Sequence, residues 1–165
     1  MFVVRRRSLV AWLLSIMVAC SFVASQADDK KDDKKTEPKV KRELKLFNGK
    51  DLTGWKNSMF GGDGEITVED GQLILDRGNE LTGVTWKDEK ILPKFNYEIS
   101  LEAQRVEGSD FFVGLTFPVK EDPCSLILGG WGGTVCGISS LDFKDASENE
   151  YPSFREFKNG QWYKV

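Results

Sequence analysis

Three features of the sequence predict an all-β fold, a sandwich of short antiparallel strands. From Leu44 onward apolar residues recur at every second position, most plainly over residues 95–103 and 110–117. Turn dipeptides such as Asn48-Gly49, Asp70-Gly71 and Asn159-Gly160 separate short apolar runs. No stretch after Leu44 carries an apolar stripe at helical spacing. The 165 residues, 40% hydrophobic and 12% aromatic, suffice for one globular domain and not for two.

Residues 1–27 read as a secretory signal peptide. Arg5, Arg6 and Arg7 form the charged n-region, residues 9–19 an apolar run too short to span a bilayer comfortably, and Ser25 and Ala27 suit signal peptidase. Cleavage is expected after Ala27. Met17-Val18-Ala19-Cys20 has a second reading as a lipobox, with a lipid anchor on Cys20, and an uncleaved N-terminal anchor is a third. All three predict an exported protein, periplasmic or secreted, and processing leaves no transmembrane segment in the mature chain. Residues 28–43 mix Asp and Lys around Pro38 with almost nothing apolar to bury, so they are expected to form a charged, disordered linker. Residues 44–165 are the domain.

The domain opens with Leu46-Phe47-Asn48-Gly49-Lys50-Asp51-Leu52-Thr53-Gly54-Trp55. Asn48 and Gly49 tolerate the positive φ of a tight reversal, and Trp55 directly after Gly54 is placed to cap the end of a core. Residues 65–69 alternate, with Ile66 and Val68 on one face, and the turn at 69–72 leads into Leu73, Ile74 and Leu75. Residues 83–86 form a further short strand. In 95–103, Phe95, Tyr97, Ile99, Leu101 and Ala103 share one face, while Asn96, Glu98, Ser100, Glu102 and Gln104 share the other. Phe111, Val113, Leu115 and Phe117 line one face of 110–117. Joining these two strands through Glu107-Gly108-Ser109 pairs Leu101 with Leu115 and Glu102 with Gly114, which leaves a niche beside Glu102.

Residues 125–128 and 134–141 flank Gly129-Gly130-Trp131-Gly132-Gly133. No Gly-Lys-Ser/Thr follows, which excludes a phosphate-binding loop. Residues 142–152 are polar. Trp162 to Val165 starts a strand at the end of the sequence, so the sandwich is expected to be incomplete at its C-terminus.

The sequence has no histidine, which removes Ser-His-Asp and Cys-His nucleophiles, imidazole bases and histidine-ligated zinc together. Residues 1–27 hold three of the 23 basic residues and none of the 26 acidic ones, so their removal takes the net charge from −3 to −6. An acidic chain without a basic stripe does not suit nucleic acid.

Acid–base work then falls to carboxylates, Lys and Tyr. Glu98 and Glu102 share a strand face, but four residues of rise set them ~13 Å apart, beyond the roughly 5–9.5 Å of glycosidase carboxylate pairs. A partner for Glu102 comes instead from Asp110, Asp142, Asp145 or Glu148; the competing reading is that Glu98 and Glu102 solvate an outer sheet face. Trp131 reads either as a platform for a sugar ring or as a core tryptophan. Cys124 and Cys136 flank the glycine loop, and a three-residue loop sets them within disulfide reach; alternatively they are two small buried hydrophobes. Asp142, Asp145, Glu148 and Glu150 offer oxygen ligands to a divalent cation, though not at EF-hand spacing, or form a solvated acidic loop.

The opening motif from Phe47 to Trp55, Glu69-Asp70-Gly71 leading into an apolar strand, and the 95–105 strand with Glu102 and Arg105 resemble the 3-keto-disaccharide hydrolase domain family. The resemblance runs from Leu46 to Val165. It implies a concanavalin-like jelly-roll sandwich and a carbohydrate substrate, a glycoside oxidised at C3 of the sugar. A 3-keto group acidifies the C2 proton, so a carboxylate base can remove it and the C1 substituent is expelled; water then adds to the product. By resemblance Glu102 is the base and Arg105 the charge that orients it; the residues themselves add Asp110 as a further catalytic candidate and Trp131, Asp142, Asp145 and Glu148 as candidate substrate contacts. The sequence departs from the family at Gly108-Ser109-Asp110-Phe111-Phe112, where members commonly carry Asn-Ser-Gly, and it lacks the histidine that some members offer a metal. No cofactor is assigned beyond the divalent cation that those oxygens offer to hold. The alternative is a non-catalytic carbohydrate-binding or interaction module on the same sandwich.

Overall fold

The computed structural model describes residues 2–5 and 42–165. Phe2–Arg5 and Leu46–Val165 belong to one compact unit; of a second, Ser8–Lys45, only residues 42–45 are described, and they carry no regular structure. The rest of the charged linker, Cys20 and the expected cleavage site lie outside the described residues. Apart from a 3-10 turn at Glu89–Ile91, the described residues form strands and loops. No helix among them is long and apolar enough to cross a membrane.

The strands are β1 (Phe2–Arg5), β2 (Trp55–Asn57), β3 (Ile66–Glu69), β4 (Gln72–Leu75), β5 (Val84–Trp86), β6 (Glu102–Arg105), β7 (Val113–Val119), β8 (Asp122–Gly130), β9 (Val135–Ser139), β10 (Ser153–Phe154) and β11 (Trp162–Lys164). They make a five-stranded sheet in the order β11-β6-β1-β4-β3, a four-stranded sheet β10-β9-β8-β7, and a two-stranded ribbon β2-β5. The chain is an all-β sandwich, as its periodicity predicts.

The opening motif folds as a knot of side-chain-to-backbone bonds. Asn48 Oδ1 accepts from the amides of Lys50 and Asp51 at 2.7 and 3.1 Å. Asp51 Oδ1 accepts from Thr53 N and Asn48 Nδ2, both at 2.8 Å. The chain then turns at Gly54, where a Cβ would lie 2.4 Å from the ring of Trp86; only glycine fits. Trp55 meets Trp86 edge-on at 5.2 Å and 79°, and its Nε1 donates to Leu46 O at 2.9 Å. The Asp70-Gly71 turn, with φ of +50° and +77°, closes the β3–β4 hairpin with Glu69 opposite Gln72.

The core lies between the two large sheets. Ala103, Phe112, Cys136 and Phe157 are buried in it, with Leu101 and Tyr163 packed from the five-stranded side and Val113 and Leu128 from the other. The opposite face of the four-stranded sheet carries a smaller cluster, Ile127, Val135 and Ala146 with Phe111. Alternation explains the split, since residues 127 and 128, like 135 and 136, point to opposite faces. Ala146 reaches this cluster because Asn149 Nδ2 ties its loop to Ile138 O at 2.9 Å.

Three sequence expectations need correction. First, the 95–103 strand is a ladder only from Glu102. Leu101 exchanges two 2.9 Å bonds with Val165, and pairing on that side goes no further back. Upstream, Asn96 has φ +55° and Phe95 is 72% exposed. That segment instead crosses the β7–β8 turn, where Lys120 N donates to Lys94 O at 2.9 Å and the Tyr97 hydroxyl to Pro118 O. Burial raises the pKa of that phenol. Second, β6 and β7 form no hairpin; they lie in different sheets. Leu101 and Leu115 are not partners, and Glu102 faces Lys164 rather than Gly114. Third, the loop between β8 and β9 is longer than three residues, with a bulge between Ile127 and Gly130. With Ser125 opposite Ser139 and Gly130 opposite Val135, Cys124 and Cys136 are not partners, and both are free thiols. Phe2–Arg5, within the residues expected to form a leader, are a strand inside the five-stranded sheet.

Candidate functional site

Strand β6 separates its residues between two environments. Ala103 and Arg105 are buried, while Glu102 and Gln104 are half-buried on the other face. Glu102 and Arg105, three positions apart, therefore do not share a face. On β11, Tyr163 packs into the core, so Trp162 and Lys164 point the same way as Glu102 and Gln104. The register places Lys164 directly opposite Glu102, and Trp162 opposite Gln104. Directly opposed residues hold their Cβ atoms about 4.5–5.5 Å apart. A carboxylate, an ammonium, an amide and an indole thus occupy one patch of sheet, and one oxygen of Glu102, Oε2, is shielded from solvent.

Arg105 acts as a strut. At 5% exposure its Nε donates to Asn159 Oδ1 at 2.6 Å and its Nη2 to Phe157 O at 2.6 Å. Asn159 Nδ2 passes the connection to Gly108 O at 3.0 Å. The buried charge therefore holds the loop that leads into Asp110 rather than orienting Glu102.

Asp110 and Trp131 form a second cluster. Asp110 Oδ1 accepts from Phe111 N at 2.8 Å and from Gly132 N at 3.0 Å, which fastens the glycine loop to the start of β7. Gly133 makes this approach possible: its φ is +95°, and a Cβ there would lie 2.0 Å from Ser109 O. Trp131, itself at φ +45° and 38% exposed, leans on Phe111 at 5.2 Å and 49°. Its ring is a surface shelf whose inner side rests on Phe111 of the smaller cluster.

A cleft of about 380 Å³ runs along the free edge of β11, lined among others by Ser153, Arg155, Phe157, Tyr163 and Lys164. The Arg155 guanidinium lies 5.6 Å over the Phe157 ring and 5.8 Å from the Tyr163 ring. Lys164 belongs to both the cleft and the patch around Glu102.

The acidic loop does not join either cluster. Asp145 Oδ1 accepts from Ser147 N and Oγ at 2.8 and 2.7 Å, and Glu148 N bonds Asp145 O at 3.2 Å. Asp142 sits at φ +50° in the tight turn bridging Leu141 and Lys144. Among the described residues no group of three or more His, Cys, Asp or Glu is placed to hold a metal ion.

Lys164, Arg155 and Asn159 are the residues sequence reasoning missed. Asn159 carried only a turn signal, and Lys164 meets Glu102 through a pairing across some sixty residues that no local pattern announces.

The model of the 3-keto-alpha-glucoside-1,2-lyase-like domain matches residues 43–165. No curated protein and no solved structure matches the chain.

Proposed function

Because this chain belongs to the 3-keto-alpha-glucoside-1,2-lyase-like domain family, we propose that it cleaves glycosides whose sugar is oxidised at C3, outside the cytoplasm. The chemistry is elimination across C1–C2. A base takes the C2 proton, and the C–H electron pair moves into an enolate on O3. The pair then forms the C1–C2 double bond as the C1–O bond breaks, and the aglycone oxygen takes up a proton. Water adding across that double bond completes a net hydrolysis.

The observation that carries this reading is the position of Lys164, opposite Glu102 across the strands and also on the wall of the cleft. Glu102 is the base. The Lys164 ammonium is the charge available to a developing enolate, the step at which a fixed cation lowers the barrier most. Arg155, Phe157 and Tyr163 supply a cationic and aromatic wall suited to a sugar ring, and the volume is that of a small-molecule site. Export is supported by Arg5–Arg7 and the apolar run behind them, which direct a chain outward whether or not the leader is later cut.

The test is a full-length assay with an aryl 3-keto-glucoside beside the same glycoside unoxidised. Aglycone should be released from the first alone, since without the ketone the C2 proton is too weakly acidic for a carboxylate. Glu102→Gln should lower turnover by ~10²-fold or more. Unchanged turnover in Glu102→Gln moves the base to another carboxylate.

A second reading has its own support. Trp131 and Phe111 form an exposed aromatic shelf beside a single carboxylate, Asp110. An aromatic shelf without paired acids is what a non-catalytic carbohydrate-binding module needs. Binding of a keto-sugar without turnover, abolished by Trp131→Ala, selects it.

A further inference from the structure

We infer that the gap between β4 and β6 is a strand-accepting slot whose occupant is the chain's own Phe2–Arg5, kept in the folded protein and not lost with the leader. β1 is antiparallel to both neighbours. Phe2 stands opposite Leu75 and Arg105, Val4 opposite Leu73 and Ala103, and Arg5 opposite Gln72 and Glu102. All four of its residues have a partner on each side. The slot is not at the rim of the sheet: Leu73 and Ala103, level with Val4, are among the most buried residues of the domain, at 6% and 2% exposure.

The consequence follows from sheet geometry. Without β1, strands β4 and β6 stand two strand spacings apart, roughly 9.5 Å, too far to bond. Each then presents an unpaired row of amides and carbonyls in the middle of the sheet, next to core residues. A chain that has lost its leader therefore lacks the middle strand of the five-stranded sheet. Completion of this sheet and removal of the leader exclude one another. The inference rests on backbone pairing and holds whether or not the domain is catalytic.

The experiment uses the full chain with a site-specific protease sequence inserted after Pro38. The folded protein is cut and run by native gel filtration. The N-terminal fragment should stay with the body and be displaced by an excess of labelled synthetic peptide spanning residues 2–7. The same peptide carrying Val4→Pro should displace it at least about tenfold less well, because proline removes a ladder donor from a strand paired on both sides. Amides of residues 72–75 and 102–105 should exchange at least about tenfold faster once the fragment is stripped. Release of the fragment on cutting, equal displacement by both peptides, or a dimer of the cut body that ignores the peptide each overturns the proposal. Recovery of a folded monomer beginning at Asp28 with those amides still protected overturns it as well. A failure of the catalytic reading leaves every one of these readouts unchanged.

Discussion

The two large sheets are assembled from the chain in opposite ways. β7, β8 and β9 follow one another within Val113–Ser139, joined by tight connections, and each pairs with the next in sequence. The five-stranded sheet collects β1, the β3–β4 hairpin, β6 and β11 from positions as far apart as Phe2 and Lys164. The first sheet is specified by local pattern and can form early. The second requires several long loop closures before its contacts stabilise anything. Both candidate sites border that non-local sheet: Glu102 and Lys164 belong to it, and Arg105 reaches from it to the Asp110 loop. The chemistry therefore depends on the part of the fold that is hardest to assemble.

The largest effect should come from the joint between the sheets. Phe112 enters the core beside β7 and stacks on Phe157 at 4.5 Å and 21°, with Tyr163 of β11 edge-on at 5.2 Å. Phe112→Ala should cost about 3–5 kcal/mol. If the two sheets differ as argued, hydrogen exchange in this variant rises first in β6 and β11 and later in β8. Simultaneous loss in both shows that they unfold as one unit and breaks the comparison.

Next comes a test of the shared residue. Lys164→Met should lower turnover on a 3-keto-glucoside by about 10²-fold, the usual weight of one lost donor to a developing oxyanion, while Arg155→Met should raise KM more than it lowers kcat. An equal effect of both on KM alone places Lys164 in binding and not in the chemical step.

The same contrast separates what the sequence disclosed from what it hid. The Asn48-Gly49 and Asp70-Gly71 turns, the alternation along β7 and the split of β8 and β9 about the glycine loop were all legible, because each is a matter of a few adjacent residues. So was the resemblance to the family whose model matches residues 43–165. The 95–100 segment alternates as cleanly as any strand, yet it has no ladder, since alternation records which side of a chain is apolar and not whether a partner is present. The disulfide expectation failed on register: Ser125 pairs with Ser139 and Gly130 with Val135, which leaves Cys124 about four places out of step with Cys136. Arg105 was identified as important, but its partners Asn159 and Phe157 lie more than fifty positions away.

That strut gives a smaller and sharper prediction. Asn159→Ala leaves Arg105 Nε without its bond in a part-buried setting and frees Gly108 O to water, a loss of about 1–3 kcal/mol. Trp131 fluorescence should report loosening of the Asp110 loop while the β2–β5 ribbon is undisturbed. If stability falls and the fluorescence does not move, the strut braces the five-stranded sheet alone and the two candidate sites are uncoupled.

The smallest effect belongs to the opening motif, which stands apart from both sheets. Asp51 accepts bonds from Thr53 and Asn48, and these hold its carboxyl down from 3.8 to about 2 in the folded chain. A carboxylate whose folded pKa is depressed contributes stability that is complete above the unfolded value and is lost as pH falls through the folded one. The contribution should therefore be intact at neutral pH and decline between about pH 4 and pH 2. The group is fully exposed, so salt screens it and the effect stays small. Asp51→Asn should lower stability slightly at pH 7 and not at pH 2, with the difference confined to that window. The reporter is the Trp55–Trp86 pair, whose near-ultraviolet circular dichroism follows the ribbon and not the sandwich. If acid removes that signal equally in the unsubstituted chain and in Asp51→Asn, Asp51 is not what holds the motif closed, and the turn rests on Asn48 alone.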